Sequence, residues 1–529
     1  MGGASALRGW QQRALAAMEQ WREGSFLISA APGAGKTRPA LEFARHELSR
    51  SAVDGVVIAC PTAPLTRQWA RAAHALGLEL APDAGAPRPP RGFHGVVVTY
   101  ARIAGAPRMW AGGTRERTLV IADEAHHLGE ELAWGVGFGE AFAAASRRLL
   151  LSGTPFRSDA TPIPGVVYDA DGLAEPDISY SYADAVREAV CRPVVFVTYD
   201  GTLSWRSGDD VIESSFETVL SSREAGRRYR TAISTDLPDG LPRILGEADV
   251  RLRALRGGAH PDAGGLVVAA DSEHARRIAA RVREVSGVAP VVVLHQDPRA
   301  AAKLAAFTNS SDPWIVAVNM VSEGVDIPRL RVGVYATAAK TPLIFRQIVG
   351  RFVRTIPGRR QEPSWLYIPA DATLRDHAAA VESELRALLR ARNDEDPGAL
   401  DESGRRATER GEVLDFEPLS ADVAPQMTLF GPVPAAPAAA LSRAPGPVPV
   451  PLPPATPDSE ATLPLFERRA QLRAKRHKLV AELARDRRSR HSDVNAEVNR
   501  AVGIDAVGKA TVEQLERSIA WLDRVLYGS

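Results

Sequence analysis

The feature that most constrains this chain is a short apolar run, FLIS (26–29), that breaks into AAPGAGKT (30–37) and then into a helical pattern. A strand that turns into a helix through two glycines has few conformations open to it. Gly33 and Gly35 let the backbone fold back tightly, so its amides converge at the helix N-terminus, where anions are favoured. In such a turn Lys36 meets the β- and γ-phosphates of a nucleotide, and the Thr37 hydroxyl sits on Mg2+. Ala31, Pro32, Gly33, Ala34, Gly35, Lys36 and Thr37 are therefore the expected phosphate cradle. Ala30 stands where the strict pattern has glycine. A bare Gly-x-Gly would be read as an ordinary loop; the attached Lys-Thr and the strand–turn–helix context point to ATP or GTP.

A second apolar strand, TLVIA (118–122), ends in DEAH (123–126). Two adjacent carboxylates at a strand terminus are costly unless a cation receives them. Asp123 is the expected Mg2+ partner, through water, and Glu124 the expected base for an attacking water. An isolated acidic tetrapeptide is commonly a solvated turn; following a phosphate loop in this order, it is not.

The wider pattern is α/β. Strand candidates lie at 26–30, 55–60, 95–100, 118–124, 148–153 and 193–199, then at 265–270, 289–295, 314–320, 331–337 and 364–370, with helical stretches such as 272–286 and 298–308 between them. Nearly unbroken apolar strands alternating with helices read as parallel sheets covered on both faces. With 529 residues, several domains are required. The expected division is an ATP-binding domain over 1–200, a connector over 201–260 and a second α/β domain over 261–393. A Pro/Ala-rich segment follows over 394–462, then a small helical module over 463–529. The segment VPAAPAAALSRAPGPVPVPLPPATP holds few large apolar side chains and is expected to be a disordered linker. In the module, 466–490 carries ten Arg/Lys against three acids, with Leu472, Leu479, Val480 and Leu483 as a narrow apolar stripe. Thr511 and Gln514 form a candidate capping box before a helix with Val512, Leu515, Ile519, Leu522 and Leu526. The basic helix would hold nucleic-acid phosphate or an acidic protein partner, or simply pack on the 511–526 helix.

The net charge of +1 gives no overall electrostatic argument for a nucleic-acid partner, which would need locally gathered cations. Two cysteines are too few for a disulfide framework or a zinc site, which fits a reducing compartment. No apolar run is long enough to span a membrane, and the start lacks a signal-peptide core, so a cytoplasmic location is expected.

Taken in order, these motifs resemble those of superfamily 2 helicases over about 370 residues. Arg8-x-Trp10-Gln11 resembles the adenine-reading element, with Gln11 as its glutamine. AAPGAGKT resembles motif I, in which Ala is common at the first position. CPTAPLTRQW (60–69) is similar to motif Ia, VVTY (97–100) to motif Ib, DEAH to motif II and SGTP (152–155) to motif III. VVAADSEHA (267–275) is similar to motif IV, NMVSEGVDIP (319–328) to motif V and QIVGRFVR (347–354) to motif VI. The nearest likeness is to bacterial DEAH members with a type III restriction-like or excision-repair-like motor core.

That resemblance implies two tandem RecA-like domains using ATP and Mg2+. It implies that Arg351 and Arg354 stabilise transition-state charge, that Gln347 orients water or the γ-phosphate, and that Gly324 and Asp326 contact the nucleotide. His126, Ser152 and Thr154 would couple the phosphate state to domain contacts, and Thr62, Arg67, Thr99 and Ser272 would grip nucleic acid. DNA is favoured over RNA by analogy, for a helicase or translocase in repair, recombination or defence against foreign DNA. The alternatives are an RNA helicase, or an ATP-gated clamp or motor subunit that does not unwind.

Overall fold

The computed structural model describes residues 7–153, 162–169, 174–207, 209–294, 297, 299–318, 327–356, 359, 362–390, 416–425 and 463–527. Contacts divide the chain into two units. The first holds residues up to 29, 36–178 and the C-terminal helices; the second holds 30–35, 179–390 and the strand at 416–425.

The first sheet is built from β1 (Gly24–Ala30), β2 (Gly55–Cys60), β3 (Leu80–Ala81), β4 (Gly95–Thr99), β5 (Thr118–Asp123), β6 (Arg147–Ser152) and β7 (Ile178–Tyr180), in the spatial order β3-β4-β2-β5-β6-β1-β7. β1 to β6 pair in parallel. The central strands are apolar along their length because helices cover both faces: Leu119, Val120, Ile121 and Ala122 of β5 are all fully buried. At Gly95 a Cβ would fall 2.2 Å from the Val56 carbonyl oxygen, so only glycine lets β4 close on β2 there. Helices α1 (Gly9–Gln20), α2 (Thr37–Ser49) and α3 (Ala63–His74) belong to this unit. α2 is tied to β6 by a buried ion pair, Arg147 Nη1 to Glu47 Oε2 at 2.7 Å. The Arg147 guanidinium also lies over the Trp21 and Phe43 rings.

The second sheet comprises β8 (Val194–Ser207), β9 (Asp210–Ser214), β10 (Gly264–Ala269), β11 (Val291–Val293), β12 (Trp314–Val318), β13 (Leu330–Ala336), β14 (Ser364–Pro369) and β15 (Phe416–Pro425). Its order is β11-β12-β10-β13-β14-β8-β15, with β9 on β8. Both sheets are parallel-dominated and flanked by helices, the architecture of tandem RecA-like domains.

Three differences from the sequence expectation follow from non-local pairing. The 193–199 strand belongs to the second sheet, where β8 runs parallel to β14 from Val194↔Ser364 to Tyr199↔Pro369. The 201–260 stretch is part of the second unit and not a separate connector: β8 continues through it, β9 returns along β8, and helices Ser222–Ala232 and Leu241–Arg256 pack there. Within the stretch expected to be linker, Phe416–Pro425 pairs antiparallel with β8 and buries Ala421 and Val423. Beside the main-chain bonds to β8, Ser420 is hydrogen-bonded to Ser204 and Asp422 pairs with Arg243. The remaining residues of 394–462 lie outside those described.

The C-terminal module is three helices, Leu465–Asp486, His491–Val502 and Val512–Tyr527, around Leu479, Val480, Leu483, Val494, Val498, Ile519 and Leu522. The capping box is present: Gln514 Oε1 accepts the Thr511 N–H, and Thr511 Oγ1 accepts the Gln514 N–H. Two cations of the basic helix serve the fold. Arg476 donates to Ser518, Asn495 and Asn499, and Arg469 donates to the Arg91 carbonyl and lies over Phe93. Among the described residues, no helix is long and apolar enough to cross a membrane.

Candidate nucleotide site

β1 ends at Ala30 and α2 begins at Thr37, with Gly33 at φ +82° and Gly35 at φ +89° between them. L-residues avoid that region, so the two glycines are what let the loop turn back onto the N-terminus of a 13-residue helix. The loop is pinned by Ala31 N–H to the Tyr180 carbonyl and by Ala34 N–H to the Ala31 carbonyl. Residues 30–35 cluster with the second unit, which also contains the helix Pro342–Phe352 bearing Gln347 and the buried Arg351. Within that unit, Arg354 Cγ lies 3.3 Å from where a Cβ on Gly33 would stand.

In the first unit, Lys36 Nζ is 3.7 Å from Glu124 Oε1. Glu124 has φ +50°, a strained value for a non-glycine residue, and is held there by its own N–H to Asp123 Oδ1 and by Ala125 N–H to the Leu151 carbonyl. Asp123 is buried, and its pKa is pushed up to about 6 by desolvation and by the neighbouring Glu124 charge; the Trp69 hydrogen bond and Lys36 oppose the rise. For Glu124, burial raises the pKa, but Lys36, His126, His127 and the Gly153 N–H together hold it at about 2. His126 is buried and neutral, its pKa lowered to about 3 by desolvation. Its Nδ1 lies 3.0 Å from Ser152 Oγ and 3.5 Å from Glu124 Oε2, joining the DEAH turn to the end of β6.

Glycines with positive φ ahead of a helix N-terminus, a lysine beside the DEAH glutamate and an adjacent carboxylate pair, Asp123 buried and Glu124 partly exposed, with opposite pKa shifts fit a nucleotide phosphate with a divalent cation. Thr37 and Asp123 are the residues suited to that cation. Thr154, Gly324 and Asp326 lie outside the described residues.

Of the other expected positions, Gln11, Arg67 and Thr99 have local structural partners. Gln11 Oε1 accepts the Arg8 N–H and caps α1. Arg67 pairs with Asp83. Thr99 caps the helix Tyr100–Gly105 by accepting the Arg102 N–H, and Ser272 opens the helix Ser272–Ser286, capped by Asp271. Thr62 is the N-cap of α3, and its buried hydroxyl has no hydrogen-bond partner among the described residues. Sequence reasoning did not find the two aromatic residues that hold Asp123. Trp69 Nε1 donates to Oδ2 at 2.7 Å, and the Tyr100 hydroxyl donates to the Asp123 carbonyl at 2.7 Å. Both lie in quoted motifs, but no local signal links position 69 to a residue 54 positions away.

Residues 4–157 match the family described as type III restriction enzyme, res subunit. The chain is 43% identical over 439 residues to the uncharacterized protein Rv2917 of Mycobacterium tuberculosis (strain ATCC 25618 / H37Rv), covering 80% of this chain and 72% of that one. It is 43% identical over 395 residues to the uncharacterized protein ML1624 of Mycobacterium leprae (strain TN), covering 72% of this chain and 65% of that one. Among solved structures it is similar to the ATP-dependent Type ISP restriction-modification enzyme LlaBIII bound to DNA, at 16% identity and a TM-score of 0.48, over 73% of this chain and 30% of that one. The chain thus belongs to one family with these mycobacterial proteins, built on a superfamily 2 helicase core.

Proposed function

We propose that the protein is a nucleic-acid-stimulated ATPase, a DNA helicase or translocase of the DEAH type that uses ATP and Mg2+. The observation that carries this reading is the grouping of Lys36, Asp123, Glu124, His126 and Ser152 at the mouth of a glycine-turned helix. Nucleotide phosphates would be held by the loop amides of 31–37 and by Lys36, and Mg2+ by Thr37 and Asp123; the metal supplies charge neutralisation. Glu124, held ionised, takes the proton of the attacking water. His126, kept neutral, relays the state of that carboxylate to Ser152 and so to the end of β6. Arg351 and Arg354 offset the charge that develops on the phosphoryl oxygens, with Gln347 orienting the nucleophile. Coupled to ATP turnover, the protein would move along a strand held through its backbone. The match to a restriction-enzyme subunit family supports DNA as the substrate. The C-terminal module is proposed as a built-in extension of the first domain, where Glu467 pairs with Arg71 and the Leu465 N–H meets Glu79.

The test is ATP turnover of the full chain with single-stranded DNA, duplex DNA, forked DNA and RNA as competing activators. Strong activation by DNA supports the reading. Activation by RNA alone would reassign the substrate, and no activation by any of the four would overturn the motor.

A further inference from the structure

Helix α3 has an inner face at the nucleotide site and an outer face toward solvent. On the inner face Trp69, 2% exposed, gives its indole N–H to Asp123 Oδ2, while the Glu124 N–H occupies Oδ1. A buried indole needs an acceptor, and many neutral carbonyls would serve. Here it is spent on the carboxylate suited to the metal, in a charge-assisted bond that also fixes how that carboxylate is turned. The outer face carries Arg67, whose side chain is 58% exposed and pairs with the half-buried Asp83, and the helix is N-capped by Thr62, whose buried hydroxyl is unpartnered among the described residues. Arg67 and Trp69 are two positions apart and so face opposite ways. Thr66, just before Arg67, is fully buried and also bonded to Asp83. A helix of 12 residues moves as a rod, so displacement at its N-cap or outer face reaches the indole.

We propose that Trp69 is a positioning residue that orients the Asp123 carboxylate toward Mg2+-nucleotide, and that α3 carries strand binding at Thr62 and Arg67 to that carboxylate. The second half rests on the proposed function above. A phosphate arriving at Arg67 competes with Asp83 for the guanidinium, which leaves the Asp83 carboxylate held from α3 by Thr66 alone and changes the seating of the helix. The first half concerns only how this chain's own residues are disposed toward the metal, and it is readable without turnover.

Three variants of the full chain separate these roles. Trp69→Phe keeps an aromatic ring and removes the N–H; Trp69→His is smaller but retains one; Tyr100→Phe removes a bond to the main chain of the same aspartate. Binding of a fluorescent ATP analogue is measured in EDTA and across a Mg2+ titration, followed by ATP turnover with and without DNA. Trp69→Phe should bind the analogue in EDTA within about twofold of wild type, yet require about tenfold more Mg2+ for half-saturation. Its stimulation by DNA should fall several-fold. Trp69→His should lie between the two, and Tyr100→Phe should show the wild-type Mg2+ requirement. An unchanged Mg2+ requirement in Trp69→Phe overturns the positioning role. So does an equal loss in EDTA and Mg2+ shared with Tyr100→Phe, which would make the indole only a core residue. If Trp69→Phe needs more Mg2+ but retains full DNA stimulation, the transmission through α3 is overturned and the positioning stands. If wild type itself shows no stimulation by any nucleic acid, it is the motor reading that fails, and the Mg2+ titration still decides the role of Trp69.

Discussion

Glu124→Gln removes a charge while keeping shape, and the structure sets what should follow. With Lys36 Nζ 3.7 Å away, the Glu124 carboxyl is held at about 2 against an ordinary value of 4.5, despite burial that acts the other way. A displacement of that size corresponds to about 3 kcal/mol; the side chain is 31% exposed, so screening reduces it to about 1–2 kcal/mol. The folded value lies below the unfolded one, so this stability is complete above pH 4.5 and is lost as pH falls through about 2. At pH 7.5 all of it is present, and the variant forfeits it. In the opposite direction, the Glu124 charge is one cause of the rise in Asp123, so neutralising it relieves part of that cost. The net loss should be about 1 kcal/mol, a fall in Tm of about 2 °C for a chain of this size. Removing a general base, by contrast, lowers turnover by about 10²–10⁴-fold. Nucleotide affinity should hold or tighten, because Lys36 loses a competing carboxylate. Thermal unfolding, analogue binding and phosphate release from one preparation give the three readings. Wild-type turnover would refute Glu124 as the base. A fall in Tm beyond about 10 °C, or loss of binding together with turnover, would refute the electrostatic reasoning.

Arg354→Ala should retain most ATP binding and lose hydrolysis; equilibrium binding beside single-turnover hydrolysis checks this, and loss of binding alone would place the residue wrongly. Asp123 is raised to about 6 and must be ionised to face a cation, so kcat/KM for ATP at limiting Mg2+ should fall as pH drops through about 6. Excess Mg2+ favours the ionised form and should move that acid limb to lower pH; His126, lowered to about 3, stays neutral and contributes nothing to it. A limb insensitive to Mg2+ across pH 5–8 would contradict this assignment. Arg147→Ala takes one of two arginine partners from the fully buried Glu47 carboxylate and strips the cation from Trp21 and Phe43; with Arg50 still paired to Glu47, it should cost less than the ~3–5 kcal/mol of an uncompensated buried charge, read by denaturant unfolding.

Much of the first domain was readable along the chain because its determinants are local. A parallel strand buried on both faces has to be an unbroken apolar run, and β2, β4, β5 and β6 lie within a residue of their expected bounds. The phosphate loop is likewise contiguous: two glycines, a lysine and a threonine within a few positions dictate both its turn and its chemistry. The capping box at Thr511 and Gln514 belongs to the same class.

What only the tertiary structure decided is pairing at a distance. The run at 193–199 has the composition of a strand in either sheet; its register with β14 chose the second. Phe416–Pro425 has little strand character of its own and is ordered by main-chain pairing with β8, where Gly201 leaves room for the Asp422 carbonyl. Which cations of the basic helix serve the fold was also decided at a distance: Arg469 and Arg476 meet partners inside the protein. Trp69 came to Asp123, at the end of β5, by the packing of α3 over β4 and β2, which no spacing announces. Short-range stereochemistry is carried by neighbouring residues and can be read from them, whereas the choice among distant partners is made only when the whole core closes.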